Sequence, residues 1–438
     1  MIVRTEDPQL GRELSTKSVG DIAEQQLAML RETVDYASRK SPYYKSVFDK
    51  LGLSAKDINS LADLEKIPCT DKDDLSRQNE DFLCVPTSAI ADYVTTSGTL
   101  GNPVSYYLTG QDLERLAYNE AGSFACAGAT SADVFMLMTT IDKRFMAGLA
   151  YYLGVQKLGA GIVRNGPGVP YLQWDSIMRF NPTYLIAVPS FIPSLLKYAE
   201  ENGIDYASTS VKAIICIGEP IRNDDFSLNE LGERITAKWN VQLYSTYAST
   251  EMATAFTECG QGQGGHLRPD LMYLEVLNDA GIPVKSGEAG EVVFTTLGVE
   301  AMPLLRYKSG DICTVHYDAC ACGQTTPRLG PVLGRKKQMI KYKGTTLFPQ
   351  LIFDMLDQFE EVDEYVVEAT TNEYGNDHLC VYLDEKLDHF DFAYKVKEAF
   401  KGRLRVTPEI LFIPQTLLET KLFPEKSRKP LKFADLRS

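Results

Sequence analysis

Residues 91–108 read ADYVTTSGTLGNPVSYYL. The Thr, Val and Tyr residues at 93–95 and 104–108 predict two strands, and the small residues between them predict a bent loop. Gly98 and Gly101 allow a positive φ and a close approach of the backbone, so the loop's N–H and hydroxyl groups suit a phosphate chain. No Lys follows Gly101 and no helix begins behind it, which excludes a Walker loop. An ordinary surface turn is the alternative interpretation.

The composition limits the classes of protein that need to be considered. A chain of 438 residues exceeds one hydrophobic core, so two or three domains are expected. With 44% hydrophobic and 24% charged residues it has the composition of a globular protein, and its net charge of −14 argues against nucleic acid as a partner. No signal peptide or membrane-spanning run is recognised, so a cytoplasmic location with reduced cysteines is expected.

The middle of the chain alternates strand and helix patterns. Strands are predicted over 134–139, 161–163, 184–188, 213–217 and 241–244, with helices between most of them. This alternation predicts an α/β fold with a doubly wound, mainly parallel sheet, in which ligands bind beyond the carboxyl ends of the strands. Two of these ends carry chemically useful groups, Gly218-Glu219-Pro220 after one strand and residues 245–251 after another. A plain strand-to-helix loop is the simpler interpretation of each.

The strand–helix alternation ends near residue 271. Residues 272–305 alternate in hydrophobicity and predict an antiparallel meander, which belongs with the large N-terminal domain. From residue 349 onward a helix, a hairpin, a helix over 390–401 and a last strand over 411–414 predict a small α+β domain. We therefore expect a large domain over 1–336 and a mobile C-terminal domain over 337–438.

Four motifs in order give a resemblance to a known family. Residues 96–103 read TSGTLGNP, residues 247–251 read YASTE, residues 306–311 read RYKSGD, and residues 334–337 read GRKK. They are similar to the TSGTTGxP, YGxTE, RYRTGD and hinge motifs of adenylate-forming, acyl-CoA synthetase-like enzymes. From about Ser41 to the C-terminus, the chain most resembles the phenylacetate–coenzyme A ligase family.

The resemblance implies roles for the matched positions. The β- and γ-phosphates of ATP would be held by Thr96, Ser97, Gly98, Thr99 and Gly101. Adenine would be framed by Gly218, Glu219, Pro220 and Tyr247. Glu251 would bind Mg²⁺, which neutralises charge as pyrophosphate leaves, and Asp311 would bind the ribose hydroxyls with Arg335 nearby.

The C-terminal residues 427–432, SRKPLK, are similar to the family's terminal lysine element. This makes Lys429 the implied catalytic lysine, whose ammonium would offset charge as the substrate carboxylate attacks the α-phosphate. Arg428 stands where the family has Gly, which leaves the register open by a few residues. A solvated basic tail is the alternative. Lys337 occupies the family's hinge position.

The function that the resemblance implies is an AMP-forming acid–CoA ligase. A carboxylic acid, aryl or related, reacts with Mg-ATP to give an acyl-adenylate, and the thiol of coenzyme A then displaces AMP. Two alternatives stay open, namely transfer to another thiol or amine, and a nucleotide-binding regulatory protein without catalysis. A homodimer is expected only by resemblance. Lys143 and Arg144 either favour a substrate with a second polar group or form an exposed loop pair.

A possible structural zinc site has four ligands. Cys259 and His266 lie about 50 residues before Cys320 and Cys322, and this set of soft or borderline ligands suffices for a tetrahedral site. Glycines between Cys259 and His266 would let the first loop wrap an ion. Reduced cysteines in two loops are the alternative, and Cys313 and His316 are alternative ligands.

Overall fold

The computed structural model describes residues 13–96, 104–342, 345–359, 361–371, 377–388, 390–404, 406–424 and 430–437. In chain order, helices α1 to α11 are Val19–Lys40, Pro42–Leu51, Lys72–Arg77, Gly110–Cys126, Met146–Leu158, Pro170–Phe180, Ile192–Glu201, Glu230–Lys238, Pro349–Leu356, Phe390–Leu404 and Gln415–Leu422. Strands β1 to β10 are Ile90–Thr95, Ser105–Thr109, Val134–Leu137, Gly161–Arg164, Tyr184–Ala187, Ala213–Ile217, Gln242–Ser249, Thr254–Glu258, Gly265–His266 and Met272–Leu277. Strands β11 to β19 are Ala289–Thr296, Tyr307–His316, Arg328–Arg335, Ile340–Tyr342, Thr345–Leu347, Tyr365–Thr371, Asp377–Asp384, Glu409–Ile413 and Phe433–Asp435.

The predicted parallel body is present. Strands run in the order β4-β3-β5-β6-β7, and each neighbouring pair in this run is parallel. Side chains alternate between its two faces: Leu185 and Ile214 pack with Trp174 of α6, whereas Ile186 and Ile215 pack with Tyr151 of α5. Because both faces are buried under helices, these strands are continuous apolar runs, as expected for a doubly wound sheet.

The parallel body and the meander form one sheet of 11 strands. The sheet continues from β7 through β8, β9, β13, β12 and β11 to β10, with antiparallel pairing at β7–β8, β8–β9 and β10–β11–β12. The predicted fold class is therefore confirmed. The strand prediction over 241–244 was too short, because β7 runs on to Ser249 and is followed by an antiparallel strand rather than by a helix. Residues 245–249 are thus strand and not a strand-to-helix loop.

Contacts divide the chain into two compact units, Met1–Val332 and Leu333–Ser438. The second unit has its own core, built from Val367, Val381, Val396 and Phe400 among others. Its four-stranded sheet has the order β18-β17-β16-β19, with a central antiparallel hairpin and parallel outer strands. The strand expected over 411–414 is present as β18, but it is not the last strand, because β19 follows it and pairs with β16. A three-residue strand is too short to give a periodic signal.

Within the described part of the chain, no helix has the length and apolar character needed to cross a bilayer. All nine cysteines fall within that part, and none of them forms a disulfide.

Candidate active site

Two of the sequence motifs meet through one hydrogen bond. The Tyr247 hydroxyl, on β7, donates to Asp311 Oδ2 on β12 over 2.8 Å. Burial and the Asp311 carboxylate raise the pKa of Tyr247 well above its usual value, so the phenol stays protonated and remains a donor. Four strand spacings separate β7 from β12, or about 19 Å in a flat sheet, so the sheet must curve to bring the two side chains together.

A second contact joins the same two motifs. Tyr307, at the start of β12, is buried and directs its hydroxyl toward Glu251 Oε1 at 3.5 Å. Burial and the Glu251 carboxylate raise the pKa of Tyr307, which keeps this phenol neutral as well. The predicted metal-binding carboxylate and the predicted ribose-binding carboxylate therefore each have a tyrosine partner from the other motif.

The described end of the predicted phosphate loop is Thr96. Its N–H donates to the Val104 carbonyl at 2.9 Å, and its hydroxyl oxygen accepts from the Val104 N–H at 3.1 Å. These bonds close the neck of the β1–β2 hairpin. Ser97, Gly98, Thr99 and Gly101 lie outside the described residues.

The loop that precedes α5 touches this hairpin. The Arg144 carbonyl accepts a hydrogen bond from the Thr95 N–H at 3.2 Å. Both Lys143 and Arg144 have a φ of +59°, a left-handed conformation that non-glycine residues adopt at a free-energy cost, and their side chains are exposed. The backbone of this pair is therefore held in an unfavourable conformation beside Thr95, as occurs at functional sites.

The residues predicted to frame adenine follow β6. Gly218 has a φ of +76° and turns the chain at the end of the strand. The Glu219 carboxylate accepts hydrogen bonds from the Ser190 N–H at 3.1 Å and the Ser190 hydroxyl at 3.0 Å, which links this segment to the end of β5. The Pro220 carbonyl accepts from Asn229 Nδ2 at 3.0 Å. Glu219 thus has a local structural partner in addition to its predicted place at the nucleotide.

The four predicted zinc ligands lie together. One ligand atom from each of Cys259, His266, Cys320 and Cys322 lies within 4.8 Å of all the others. Cys259 Sγ lies 3.8 Å from Cys320 Sγ, and Cys322 Sγ lies 3.6 Å from His266 Nε2. Bonds of about 2.3 Å to sulfur and 2.0 Å to nitrogen in a tetrahedron require edges of about 3.8 Å and 3.5 Å. The alternative ligands Cys313 and His316 are not part of this group.

His266 is held in the form that binds a metal. Burial and the Arg328 guanidinium lower its pKa to about 4, so the ring is neutral near pH 7. Among the described residues, its buried Nδ1 has no hydrogen-bond partner. The loop from Cys259 wraps toward His266 through Gly262 and Gly264, both with positive φ.

The comparisons with known proteins agree with these motifs. The family model described as AMP-binding enzyme matches residues 27–301. The phenylacetate-coenzyme A ligase of Thermus thermophilus is 31% identical over 378 residues, covering 85% of this chain and 80% of that protein. The chain belongs to the AMP-binding enzyme family. The predicted resemblance to adenylate-forming enzymes is therefore confirmed.

Two further proteins extend the likeness over more than nine-tenths of the chain. The phenylacetate-coenzyme A ligase of Escherichia coli strain K12 is 26% identical and covers 91% of this chain and 92% of that protein. The crystal structure of 2-hydroxyisobutyryl-CoA ligase in the postadenylation state, in complex with R3-HIB-AMP, has a TM-score of 0.81 at 23% identity. It covers 96% of this chain and 90% of that one, so both units share its fold.

Sequence reasoning missed an ion pair beside the site of this AMP-binding enzyme. Arg222 Nε donates to Glu258 Oε1 at 2.7 Å, and Glu258 Oε2 accepts from the Ser245 N–H at 3.0 Å. Glu258 precedes Cys259, Arg222 follows Pro220, and Ser245 lies two residues before Tyr247. One buried carboxylate, next to the cysteine cluster in sequence, therefore connects the segment after β6 to the middle of β7. The two residues are 36 positions apart, and no local pattern indicates their pairing.

The remaining predicted residues belong to the second unit or lie outside the described part. Arg335 ends β13 and Lys337 lies in the short turn Lys336–Gln338, both in the second unit. Lys429 lies outside the described residues.

Proposed function

We propose that this AMP-binding enzyme activates a carboxylic acid with ATP and transfers the acyl group to coenzyme A. The observation that carries the proposal is the 2.8 Å hydrogen bond between Tyr247 and Asp311, which brings the YASTE and RYKSGD motifs to one place. The similarity to enzymes named phenylacetate-coenzyme A ligase supports both the reaction and the acceptor.

In the first half-reaction, residues of the first unit are proposed to bind the nucleotide. A carboxylate oxygen of the acid attacks the α-phosphorus of ATP, the bond to the β-phosphate breaks, and acyl-adenylate and pyrophosphate form. Asp311 accepts hydrogen bonds from the ribose hydroxyls, and Tyr247 fixes the Asp311 carboxylate through its own hydroxyl while its ring lies against adenine with residues 218–220. Thr96, Ser97, Gly98, Thr99 and Gly101 bind the β- and γ-phosphates.

Glu251 is proposed to bind Mg²⁺ with the phosphates of ATP. A carboxylate suits a hard cation, and the neutral Tyr307 phenol orients the Glu251 carboxylate at the end of β7. When bound, the cation neutralises the charge that develops as pyrophosphate leaves. Tyr307 is the residue that holds Glu251 in place for this purpose.

The second half-reaction is proposed to follow a rotation of the second unit. The coenzyme A sulfur attacks the acyl carbon, the bond from that carbon to the phosphate oxygen breaks, and AMP leaves while the thiol proton is lost to water. The two half-reactions need different groups at one acyl centre, which a unit attached through a hinge near Lys337 can supply in turn. Lys429 is proposed to act in the first half only.

A lysine variant separates the two halves. We expect Lys429→Ala to lower acid-dependent pyrophosphate release about 100-fold or more, because an ammonium that offsets transition-state charge is removed. Transfer from preformed acyl-adenylate to coenzyme A should change little. Stopped-flow measurement of each half separately makes the comparison, with Lys432→Ala as the neighbouring control. Unchanged pyrophosphate release in Lys429→Ala would remove this lysine from the mechanism.

The experiment that tests the function is a panel of aryl and short hydroxylated carboxylic acids in a coupled assay of AMP formation. We expect AMP to appear only with acid, ATP and coenzyme A together. Asp311→Asn should lower kcat/KM for ATP about 10- to 100-fold, because a charged hydrogen-bond acceptor is lost. Asp175→Asn, at an exposed pair with Arg179, is the matched control. If AMP formation does not depend on coenzyme A but depends on another thiol or an amine, the alternative acceptor is the correct one.

We also propose that Cys259, His266, Cys320 and Cys322 hold a structural zinc ion. Support comes from the distances between their ligand atoms and from the neutral His266. Four protein ligands fill a tetrahedral site, so a structural role is favoured over a catalytic one. The ion would join two loops that are about 60 residues apart in the sequence.

A further inference from the structure

One side chain near the C-terminus uses every donor it has. Arg437 Nε and Nη2 donate to the two carboxylate oxygens of Asp435 at 2.8 and 2.6 Å, and Nη1 donates to Asp377 Oδ2 at 2.9 Å. Nη1 also donates to the Met339 carbonyl at 2.6 Å, and Nη2 donates to the Lys337 carbonyl at 3.2 Å. A guanidinium has five N–H groups, so these five bonds saturate it.

The surroundings hold this guanidinium firmly. Its side chain is 15% exposed, and two carboxylates of similarly low exposure face it. Asp435 and Asp377 raise the pKa of Arg437, as expected for a cation between two anions. Asp435 ends β19, and the N–H of the next residue, Leu436, donates to the Ala369 carbonyl on β16 at 2.8 Å. The guanidinium is thereby fixed to the central sheet of the second unit.

The two carbonyls that Arg437 binds lie on either side of Gln338. This is the segment between β13 and β14 in which the hinge residue Lys337 lies. A carbonyl bound to the sheet of the second unit must move with that unit. Rotation about the Cα–C bond of Lys337, or about bonds before it, leaves both hydrogen bonds intact because the Lys337 carbonyl oxygen moves with the chain that follows it. Rotation about bonds after the Lys337 carbonyl breaks one of them.

We propose that Arg437 is the positioning residue of the hinge. It holds the Lys337 and Met339 carbonyls to the second unit and confines the rotation to the Cα–C bond of Lys337 and the bonds before it. The inference rests on the proposed function in one respect, namely that the second unit rotates between two half-reactions. The contacts themselves all lie inside the second unit and do not depend on it.

Three variants test whether Arg437 positions the Lys337 segment. Arg437→Gln removes the charge and most of the donors, Arg437→Lys keeps the charge without the planar fork, and Asp377→Asn leaves Arg437 and Asp435 in place while weakening one contact. Lys395→Gln is the matched control, because Lys395 is an exposed cation of the same unit that pairs with Glu361 on the surface. Thermal melting of each variant establishes that the second unit is folded. If Arg437→Gln does not fold, the same two measurements on Asp377→Asn decide whether the proposal holds.

The first readout compares half-reactions in the full chain. Pyrophosphate release and transfer from preformed acyl-adenylate to coenzyme A are measured separately. We expect Arg437→Gln to change the ratio of the two rates about tenfold, with Arg437→Lys in between, because the hinge can then bend at additional bonds. The ratio in Lys395→Gln should match that of the wild type. A ratio within about twofold of the wild type in every Arg437 and Asp377 variant would overturn the proposal.

The second readout is hydrogen–deuterium exchange of peptides covering residues 333–342. We expect these peptides to exchange faster in Arg437→Gln than in Lys395→Gln. Equal exchange in the two variants would overturn the proposed role of Arg437. This readout needs no turnover. If the wild-type chain activates no acid, the proposed function fails, and exchange alone still decides whether Arg437 holds the segment.

Discussion

Glu120 is an acid placed where its charge is unfavourable. It lies on α4 and is buried against α5, where an added Cβ at Gly154 would come within 2.2 Å of the Glu120 Cβ. Burial raises its pKa to about 8, although Asn119 Nδ2 donates to one of its oxygens at 3.0 Å. Near pH 7 the folded chain therefore holds a proton on Glu120 that the unfolded chain releases.

This proton makes stability depend on pH in a definite direction. Between pH 4.5 and pH 8 the folded state binds more protons than the unfolded state at Glu120, so its contribution to the free energy of unfolding falls as pH rises. We expect Glu120→Gln to be more stable than the wild type at pH 8, by roughly 4 kcal/mol, and similar to it at pH 4. Urea unfolding at both pH values measures the difference, and an equal difference at both would contradict the assignment.

At the scale of elements, the β7–β8 hairpin depends on Glu258. Its carboxylate is 3% exposed and accepts from Arg222 and from the Ser245 N–H, so it connects the segment after β6 to the middle of β7. Burial raises the pKa of Glu258, and Arg222 opposes this shift. Removing one partner of such a pair leaves an uncompensated charge in the interior.

We expect Glu258→Gln to lower the free energy of unfolding by about 3–5 kcal/mol, because the Arg222 guanidinium loses its anion. Glu200→Gln, which disrupts the exposed pair between Glu200 on α7 and Lys238 on α8, should change it by less than about 1 kcal/mol. Denaturant melts of the two variants side by side give the comparison. Equal effects would mean that the buried pair does not stabilise the hairpin.

At the scale of the whole molecule, the cysteine cluster joins distant parts of the first unit. Cys259 and His266 belong to the β8–β9 segment, and Cys320 and Cys322 belong to the loop that precedes β13. In that same loop, the Thr325 N–H donates to the Ser15 carbonyl at 2.8 Å, which adds the N-terminal segment. A zinc ion would connect the two loops directly, and the Thr325 hydrogen bond would connect the N-terminal segment to them. Glu258, which precedes Cys259, connects the same region to β7 through the Ser245 N–H.

Metal removal should therefore destabilise the first unit. We expect about one zinc per chain in purified protein, and a chelator should lower the melting temperature by several degrees, because binding energy is lost from the folded state alone. Cys322→Ser should reproduce the loss of metal. Cys380→Ser, a buried cysteine of the second unit outside the cluster, serves as the control. The zinc site would be refuted if purified protein contained no stoichiometric zinc and if a chelator left its melting temperature unchanged.

Local patterns predicted most of the elements. The apolar run over 213–217 predicted the bounds of β6 to the residue, since both faces of this strand are buried. The prediction failed where a strand is polar, as in β7, or only three residues long, as in β19. Such segments are strands because of their neighbours, and their own residues carry little periodic signal.

The sequence by itself determined the order of the elements, the four motifs that place the chain in the AMP-binding enzyme family, and the types of residue that can bind phosphate or metal. Only the tertiary structure decided that Tyr247 meets Asp311, that Tyr307 faces Glu251, and that Arg437 holds the Lys337 segment. Hydrophobic periodicity reports which face of an element is buried, but it carries no information about the partner. Polar pairs 56 to 100 positions apart are selected when whole sheets curve and pack, because each buried polar group must find a partner there.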